Sequence, residues 1–102
     1  MKNLELIDSY RKTIKKCADK CYKLIDLNDF SYNQMCLNLT AANNIIIDNY
    51  DRDRLDVKRI AELLKNTIDL LNKKDLKIAN KRTTNTIDKI KNDLTNIYND
   101  LI

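Results

Sequence analysis

The chain of 102 residues contains no glycine, no proline and no histidine. Glycine and proline dominate tight hairpin turns, so their absence argues against sandwiches and barrels, which need many chain reversals. Without histidine the chain lacks the commonest general base of enzymes. Glutamate occurs only at positions 5 and 62, and there is no glycine-rich loop to cradle phosphates. The sequence therefore predicts a protein that is not an enzyme and that holds no cofactor.

Long hydrophobic runs are also missing. No apolar stretch approaches the roughly 18 residues that a membrane-spanning helix needs, and the N-terminal stretch MKNLELIDSYRK alternates apolar with charged residues. Apolar residues make up 43% of the chain and charged residues 33%, as in soluble globular proteins. We therefore expect a cytoplasmic protein that does not act on a membrane, folded as one domain over residues 1–102.

What the sequence does contain is helical periodicity. Apolar residues recur at alternating spacings of three and four, which predicts amphipathic α-helices. The expected helices cover about residues 3–27, 31–49, 53–72 and 75–102. Because short loops make neighbouring helices antiparallel, we expect an all-α, antiparallel up-down four-helix bundle.

The ends of these helices carry recognisable signals. Asn28 tolerates the left-handed backbone that closes a helix, so we expect the first helix to end there. Ser31 is followed three residues later by Gln34, the pattern of a capping box that begins a helix. Asp51 or Asp53 is expected to cap the third helix.

The fourth helix has the strictest repeat, with spacings of coiled-coil type. Its members are Leu76, Asn80, Thr83, Ile87, Ile90, Leu94, Ile97 and Leu101. Asn80 and Thr83 occupy positions where Leu or Ile is expected, a device that can fix register at a cost in stability. A helix of that length measures about 40 Å, against about 28 Å for the second helix. Some apolar helix ends would then lack an internal partner, which favours a homo-oligomer or a binding site. A bent fourth helix or a three-helix core with a docked arm would also fit.

The second helix contains no lysine or arginine, and its apolar residues run nearly all the way round. Such a helix is expected either to be the most enclosed of the four or to meet a partner on its free side.

Three cysteines lie at positions 17, 21 and 36. Cys17 and Cys21 fall on the apolar stripe of the first helix, where free cysteine behaves as a small buried hydrophobe. Counting from the loop places Cys21 and Cys36 at one level of the bundle, and we expect both to be thiols with no metal between them. A structural zinc site needs four Cys or His ligands, and this chain offers three.

Acidic residues after the second helix partly match a calcium loop. Asp51, Asp53 and Glu62 correspond to positions 1, 3 and 12 of an EF-hand. However, Leu55 stands at the fifth position, and Asp56 replaces the glycine that the sharp turn requires. The sequence therefore predicts no metal site here.

The most informative surface is basic. Cations are concentrated at the end of the first helix and the start of the fourth, and the net charge of the chain is +4. An up-down bundle would bring both clusters to one end. The candidate partner-binding residues are Lys20, Lys23, Lys73, Lys74, Lys77, Lys81 and Arg82.

These features predict a small helical-bundle protein that binds another protein, as an inhibitor, immunity factor, anti-defence protein or adaptor. The alternative is a nucleic-acid-binding protein that uses the same basic patch, because Lys and Arg neutralise phosphates. A solvated basic face without function also fits the pattern.

Overall fold

The computed structural model describes residues 4–48 and 56–102, and within these ranges it contains helices and no strand. The four α-helices are α1 (Leu4–Leu24), α2 (Phe30–Asp48), α3 (Val57–Leu71) and α4 (Lys81–Leu101), and a short 3-10 turn (Ile25–Leu27) follows α1. The prediction of an all-α four-helix bundle is confirmed. None of these helices is both long and apolar enough to span a membrane.

The four helices surround one core. α1 and α3 each contact both α2 and α4. The Tyr10 hydroxyl, near the start of α1, donates a hydrogen bond of 3.0 Å to Asp100, near the end of α4. Cys21, near the end of α1, contacts Met35, near the start of α2. α1 therefore runs opposite to both of its neighbours, while the up-down order of the whole bundle stays a prediction.

Every helix contributes fully buried side chains to this core. The largest of them are Ile14, Tyr32, Met35, Leu39, Ile46, Ile60, Leu64, Ile90 and Leu94. Burying one such side chain stabilises the fold by about 1.5–3 kcal/mol. The periodic apolar residues of the sequence thus supply the stability of the fold.

The turn between α1 and α2 uses two side chains. Asn28 adopts φ 60° and ψ 38°, and its N–H donates to the carbonyl of Ile25, so the predicted left-handed cap is confirmed. Asp29 caps α2, because its carboxylate accepts from the N–H of Ser31 at 2.9 Å. The predicted capping box beginning at Ser31 is wrong, since Ser31 lies inside the helix and is buried.

α3 begins at Val57, four residues later than expected. Asp56 caps it by accepting from the N–H of Arg59 at 3.0 Å. The caps expected at Asp51 or Asp53 lie outside the described residues. Asn72 closes α3, as its N–H donates to the carbonyl of Ile68.

The prediction that the fourth helix begins at residue 75 is wrong, because residues 73–80 form an irregular connecting segment. Asn80 is extended, with φ −164° and ψ −177°, and its side chain accepts from the N–H of Thr83 at 3.0 Å. Asn80 therefore caps the helix instead of occupying a core seam. Leu76 lies on this connecting segment and is buried, so its side chain belongs to the core although the residue is not helical.

Because α4 begins at Lys81, the expected difference in length between the fourth and second helices is not found. α4 and α1 have 21 residues each and α2 has 19, which correspond to about 32 Å and 28 Å. The core repeat of α4 consists of Thr83, Ile87, Ile90, Leu94 and Ile97, all of them buried. The expected difference between the second and fourth helices is therefore wrong, although α3 is shorter, with 15 residues. A homo-oligomer stays a prediction.

Candidate functional site: a basic end and an uncharged helix face

The connecting segment between α3 and α4 is tied to the turn between α1 and α2 through Lys77. The Tyr32 hydroxyl donates to the main-chain carbonyl of Lys77, and Asp29 accepts from its N–H at 3.0 Å. The ammonium of Lys77 reaches the carbonyl of Asn28 at 3.4 Å. These bonds bring residues 20–29 and 73–82 together at one end of the bundle, which we call the basic end.

The residues of the basic end account for the whole formal net charge of the chain. The basic end holds seven of the nineteen cations and three of the fifteen carboxylates, a formal net charge of +4. The remaining residues hold twelve cations and twelve carboxylates. The bundle measures 42 × 19 × 18 Å, so the charge is concentrated at one end of an elongated molecule.

The seven predicted basic residues do not form one uniform patch. Lys20, Lys23 and Arg82 line a groove of about 350 Å³ between the end of α1 and the start of α4. Lys73 donates to the Ser31 hydroxyl at 3.2 Å, and the ammonium of Lys77 donates to the carbonyl of Asn28 in the turn between α1 and α2. These last two therefore act first as structural ties.

Lys74 and Lys81 are exposed, and like the groove cations they form no ion pair among the residues that the structure describes. Elsewhere in the described chain most cations are paired along helices, as in Lys12 with Asp8 at 3.1 Å; Lys16 and Lys58 are the exceptions. The basic end thus presents five cations without a carboxylate partner. They are Lys20, Lys23, Lys74, Lys81 and Arg82.

The carboxylate of Asp29 is an internal component of this end. Hydrogen bonds from the N–H groups of Lys77 and Ser31 hold its pKa below the ordinary value of 3.8. Because it accepts two main-chain donors, Asp29 organises the turn and is already engaged within the protein.

A second surface lies along α2. Its outward-facing residues form the α2 outer face and are all exposed: Phe30, Gln34, Leu37, Thr40, Asn44 and Ile47. Phe30 and Leu37 are 68% and 69% exposed. Residues 30–47 contain no charged side chain. Even so, α2 has the smallest share of exposed residues of the four helices in the described chain, as expected of the most enclosed helix. It also has a free side with exposed apolar residues, and a partner on that side stays a prediction.

An apolar groove of about 650 Å³ lies at the opposite end, between the start of α3 and the end of α4. Its apolar lining consists of Val57, Ala61, Leu101 and Ile102, together with the ring of Tyr98. The charged residues Lys58, Glu62 and Lys65 also line it. Our sequence reasoning missed this groove, although the apolar residues at these two helix ends are visible in the sequence.

The cysteines lie where the sequence predicts. Cys17 and Cys21 are buried and all three cysteines are free thiols. Burial raises the pKa of Cys17 to about 11 and that of Cys21 to about 12. The Cys21 sulfur lies 4.0 Å from that of Met35, the residue before Cys36, so Cys21 and Cys36 share one level. Cys17 and Cys21 are therefore packing elements rather than a reactive site.

Of the three acidic residues considered for calcium, Glu62 alone lies in the described chain. Glu62 lies within α3 and pairs with Arg59 at 3.3 Å, while Asp51 and Asp53 lie outside the described residues. Among residues 4–48 and 56–102 there is no group of three Cys, Asp or Glu side chains placed to hold a metal ion.

Comparisons of the chain with family models, curated proteins and solved structures found no match. Two surfaces of the described chain are candidates for binding, the α2 outer face and the basic end.

Proposed function

We propose that this protein is a non-enzymatic binding protein that acts in the cytoplasm on another protein, as an inhibitor, immunity factor, anti-defence protein or adaptor. The observation that carries the proposal is the α2 outer face. It exposes Phe30, Leu37 and Ile47 on a helix whose residues 30–47 carry no charge, in a chain of which a third is charged.

Such a face is suited to a protein partner. Interface cores are depleted in charged residues and enriched in aromatic and other large apolar side chains. Each exposed side chain of this kind gains about 1.5–3 kcal/mol when it is fully buried. The amides of Gln34 and Asn44 add hydrogen-bonding groups that carry no charge. The face therefore provides apolar anchors without charges that would have to be desolvated.

The partner chemistry follows from this composition. A charged partner surface would find no counter-charge on α2, and burying an unpaired charge is costly. Beside the face lies a groove of about 520 Å³, where Leu37 and Leu70 are flanked by the charged residues Asp69 and Lys73. We propose that an amphipathic helix of the partner lays its apolar side on the α2 outer face, with its polar edge toward Asp69 and Lys73.

A cytoplasmic location is supported by the free cysteines. All three are thiols, the state that a reducing compartment maintains.

The experiment compares two substitutions at exposed apolar positions. Leu37→Asp places a charge on the α2 outer face, and Ile102→Asp places one on the apolar groove at the other end. Each variant and the wild type are used to capture proteins from an extract of the producing cells, with quantitative mass spectrometry. We expect a protein that wild type and Ile102→Asp retain and that Leu37→Asp loses at least tenfold.

Both positions are exposed, at 69% and 76%, so both variants should unfold at urea concentrations close to that of wild type. A partner that is lost with Ile102→Asp and kept with Leu37→Asp would place the docking site in the α3–α4 groove and contradict the proposal. Sedimentation of the purified protein tests whether a second copy of this chain occupies the α2 outer face. A dimer that Leu37→Asp disrupts would also contradict the proposal of a different partner protein.

A further inference from the structure

We propose that the basic end is a second and separate binding site, which holds the phosphodiester backbone of a nucleic acid. The ligand chemistry is a chain of phosphates, which single strands and duplexes share. This inference uses a different surface from the α2 outer face and does not depend on the proposed function.

The groove at this end has an unusual lining. Its charged residues are Lys20, Lys23 and Arg82, with no carboxylate among the lining residues. Three other grooves each have an acid in their lining. They are the groove between α3 and α4, with Glu62, the groove between α2 and α3, with Asp69, and a groove between α1 and α2, with Asp19. A lining that presents cationic donors without acids favours an anionic ligand.

The start of α4 adds to the same field. The side chain and carbonyl of Asn80 accept from the N–H groups of Thr83 and Thr84. The N–H groups of Lys81 and Arg82, the first two of the helix, have no acceptor within the helix. Together with the helix dipole, these N–H groups make the start of α4 electropositive at the edge of the groove.

Charge at this end extends beyond the groove. Lys74 and Lys81 are exposed and form no ion pair in the described part of the chain, and the whole end carries a formal net charge of +4. Cations spread over two chain segments fit a ligand with repeated negative charges better than a single anion.

The composition favours a nucleic acid over an acidic protein. Protein interfaces are depleted in lysine and are centred on apolar or aromatic anchors, whereas the groove contains one apolar residue, Leu24. Interfaces with nucleic acids are more polar and much more positive, and most of their contacts go to phosphates and sugars. We therefore expect binding that depends little on base sequence.

The test measures fluorescence anisotropy of a labelled 20-nucleotide DNA strand of mixed sequence and of the corresponding duplex, at 50 and 200 mM salt. Three phosphate contacts should weaken binding about twentyfold or more between these salt concentrations. The single-strand and duplex arms identify which form binds more tightly, and tight binding of either supports the proposal.

The groove variant is Lys20→Gln, Lys23→Gln and Arg82→Gln combined. The matched control combines Lys12→Gln, Lys65→Gln and Lys89→Gln, which removes the same charge from cations that are paired with Asp8, Asp69 and Asp93. We expect the groove variant to bind at least tenfold more weakly, with a salt slope lower by about 2 to 3. The control should change the affinity less than threefold.

Three results would overturn the proposal. They are no binding of either DNA at 50 mM salt, equal weakening by the two triple variants, and competition by polyglutamate as effective as that by unlabelled strand. The last result would assign the site to an acidic polypeptide. Leu37→Asp should bind the strand as tightly as wild type, so failure of this site and failure of the proposed function are distinguishable. Arg82→Gln alone, at an exposed position, serves if the triple variant does not fold.

Discussion

The hydroxyl of Tyr32 donates a hydrogen bond to the main-chain carbonyl of Lys77, 45 residues further along the chain. Tyr32 is fully buried, so its ring is held by the core while its hydroxyl reaches the irregular connecting segment. This contact, with those of Asp29, fixes residues 73–80 against the turn between α1 and α2. The basic end is assembled by these two side chains.

Removing the Tyr32 hydroxyl should destabilise the protein. Tyr32→Phe keeps the ring but leaves the carbonyl of Lys77 without this donor, at an expected cost of about 0.5–1.5 kcal/mol in the free energy of unfolding. Urea denaturation measures this change. Tyr22→Phe, at a tyrosine that is 71% exposed, is the matched control and should change stability by less than about 0.5 kcal/mol. Equal effects of the two variants would show that the hydrogen bond contributes nothing.

Asp29 should contribute stability that depends on pH. Its pKa is held below 3.8 by the N–H groups of Lys77 and Ser31. A carboxyl group with a lowered folded-state pKa stabilises the fold above its unfolded pKa, and this contribution is lost as pH falls through the folded pKa. Asp29→Ala should therefore cost about 1 kcal/mol at pH 7, and its difference from wild type should shrink below pH 3.8.

Urea denaturation at a series of pH values from 7 to 3 follows this difference. Asp26→Ala, at an exposed acid in the same turn, should lie within about 0.5 kcal/mol of wild type at pH 7. A loss for Asp29→Ala that stays constant over the whole series would show that the ionised carboxylate is not responsible.

Asn80 separates two readings of the start of α4. On a core seam, Asn80→Leu would stabilise the protein by adding apolar contacts. If Asn80 instead caps the helix by accepting from the N–H of Thr83, Asn80→Leu should lower the free energy of unfolding by about 1 kcal/mol. Thermal or urea unfolding decides the sign of the change. Asn85→Leu, at an exposed position within α4, controls for adding an apolar side chain.

The three thiols should differ in their reaction with iodoacetamide at pH 8. Cys17 and Cys21 are buried, with pKa values raised to about 11 and 12, so little thiolate is present and access is blocked. Cys36 is half-buried and should react first in the folded protein. In denaturant without reductant all three should be labelled, as mass spectrometry of the peptides will show. A pair that stays unlabelled there would indicate a disulfide and contradict the assignment as thiols.

The interiors of the helices could be predicted from the sequence because burial follows the 3.6-residue period. Ile14, Cys17 and Cys21 on α1, and Ile87, Ile90 and Leu94 on α4, are buried as their spacing predicts. The same period also holds the signal for the α2 outer face, since Phe30 and Leu37 are seven residues apart and lie on one side.

The starts of α2 and α4 could not be predicted reliably because they depend on distant contacts. Asp29, and not Ser31, caps α2, and its carboxylate also accepts from the N–H of Lys77, 48 residues away. Asn80 looked like a polar seam residue, but its side chain satisfies an N–H group at the start of the helix. As a result, Lys73, Lys74 and Lys77 lie on an irregular segment rather than on a helix.

Photo-crosslinking in the producing cells tests whether the α2 outer face docks a partner protein. A benzophenone amino acid is placed at position 37 or at position 102, two exposed apolar sites on different surfaces. If the α2 outer face is the docking site, we expect a crosslinked product with another protein from position 37 and none from position 102. A product from position 102 alone, or only a crosslinked pair of this chain from position 37, would contradict it.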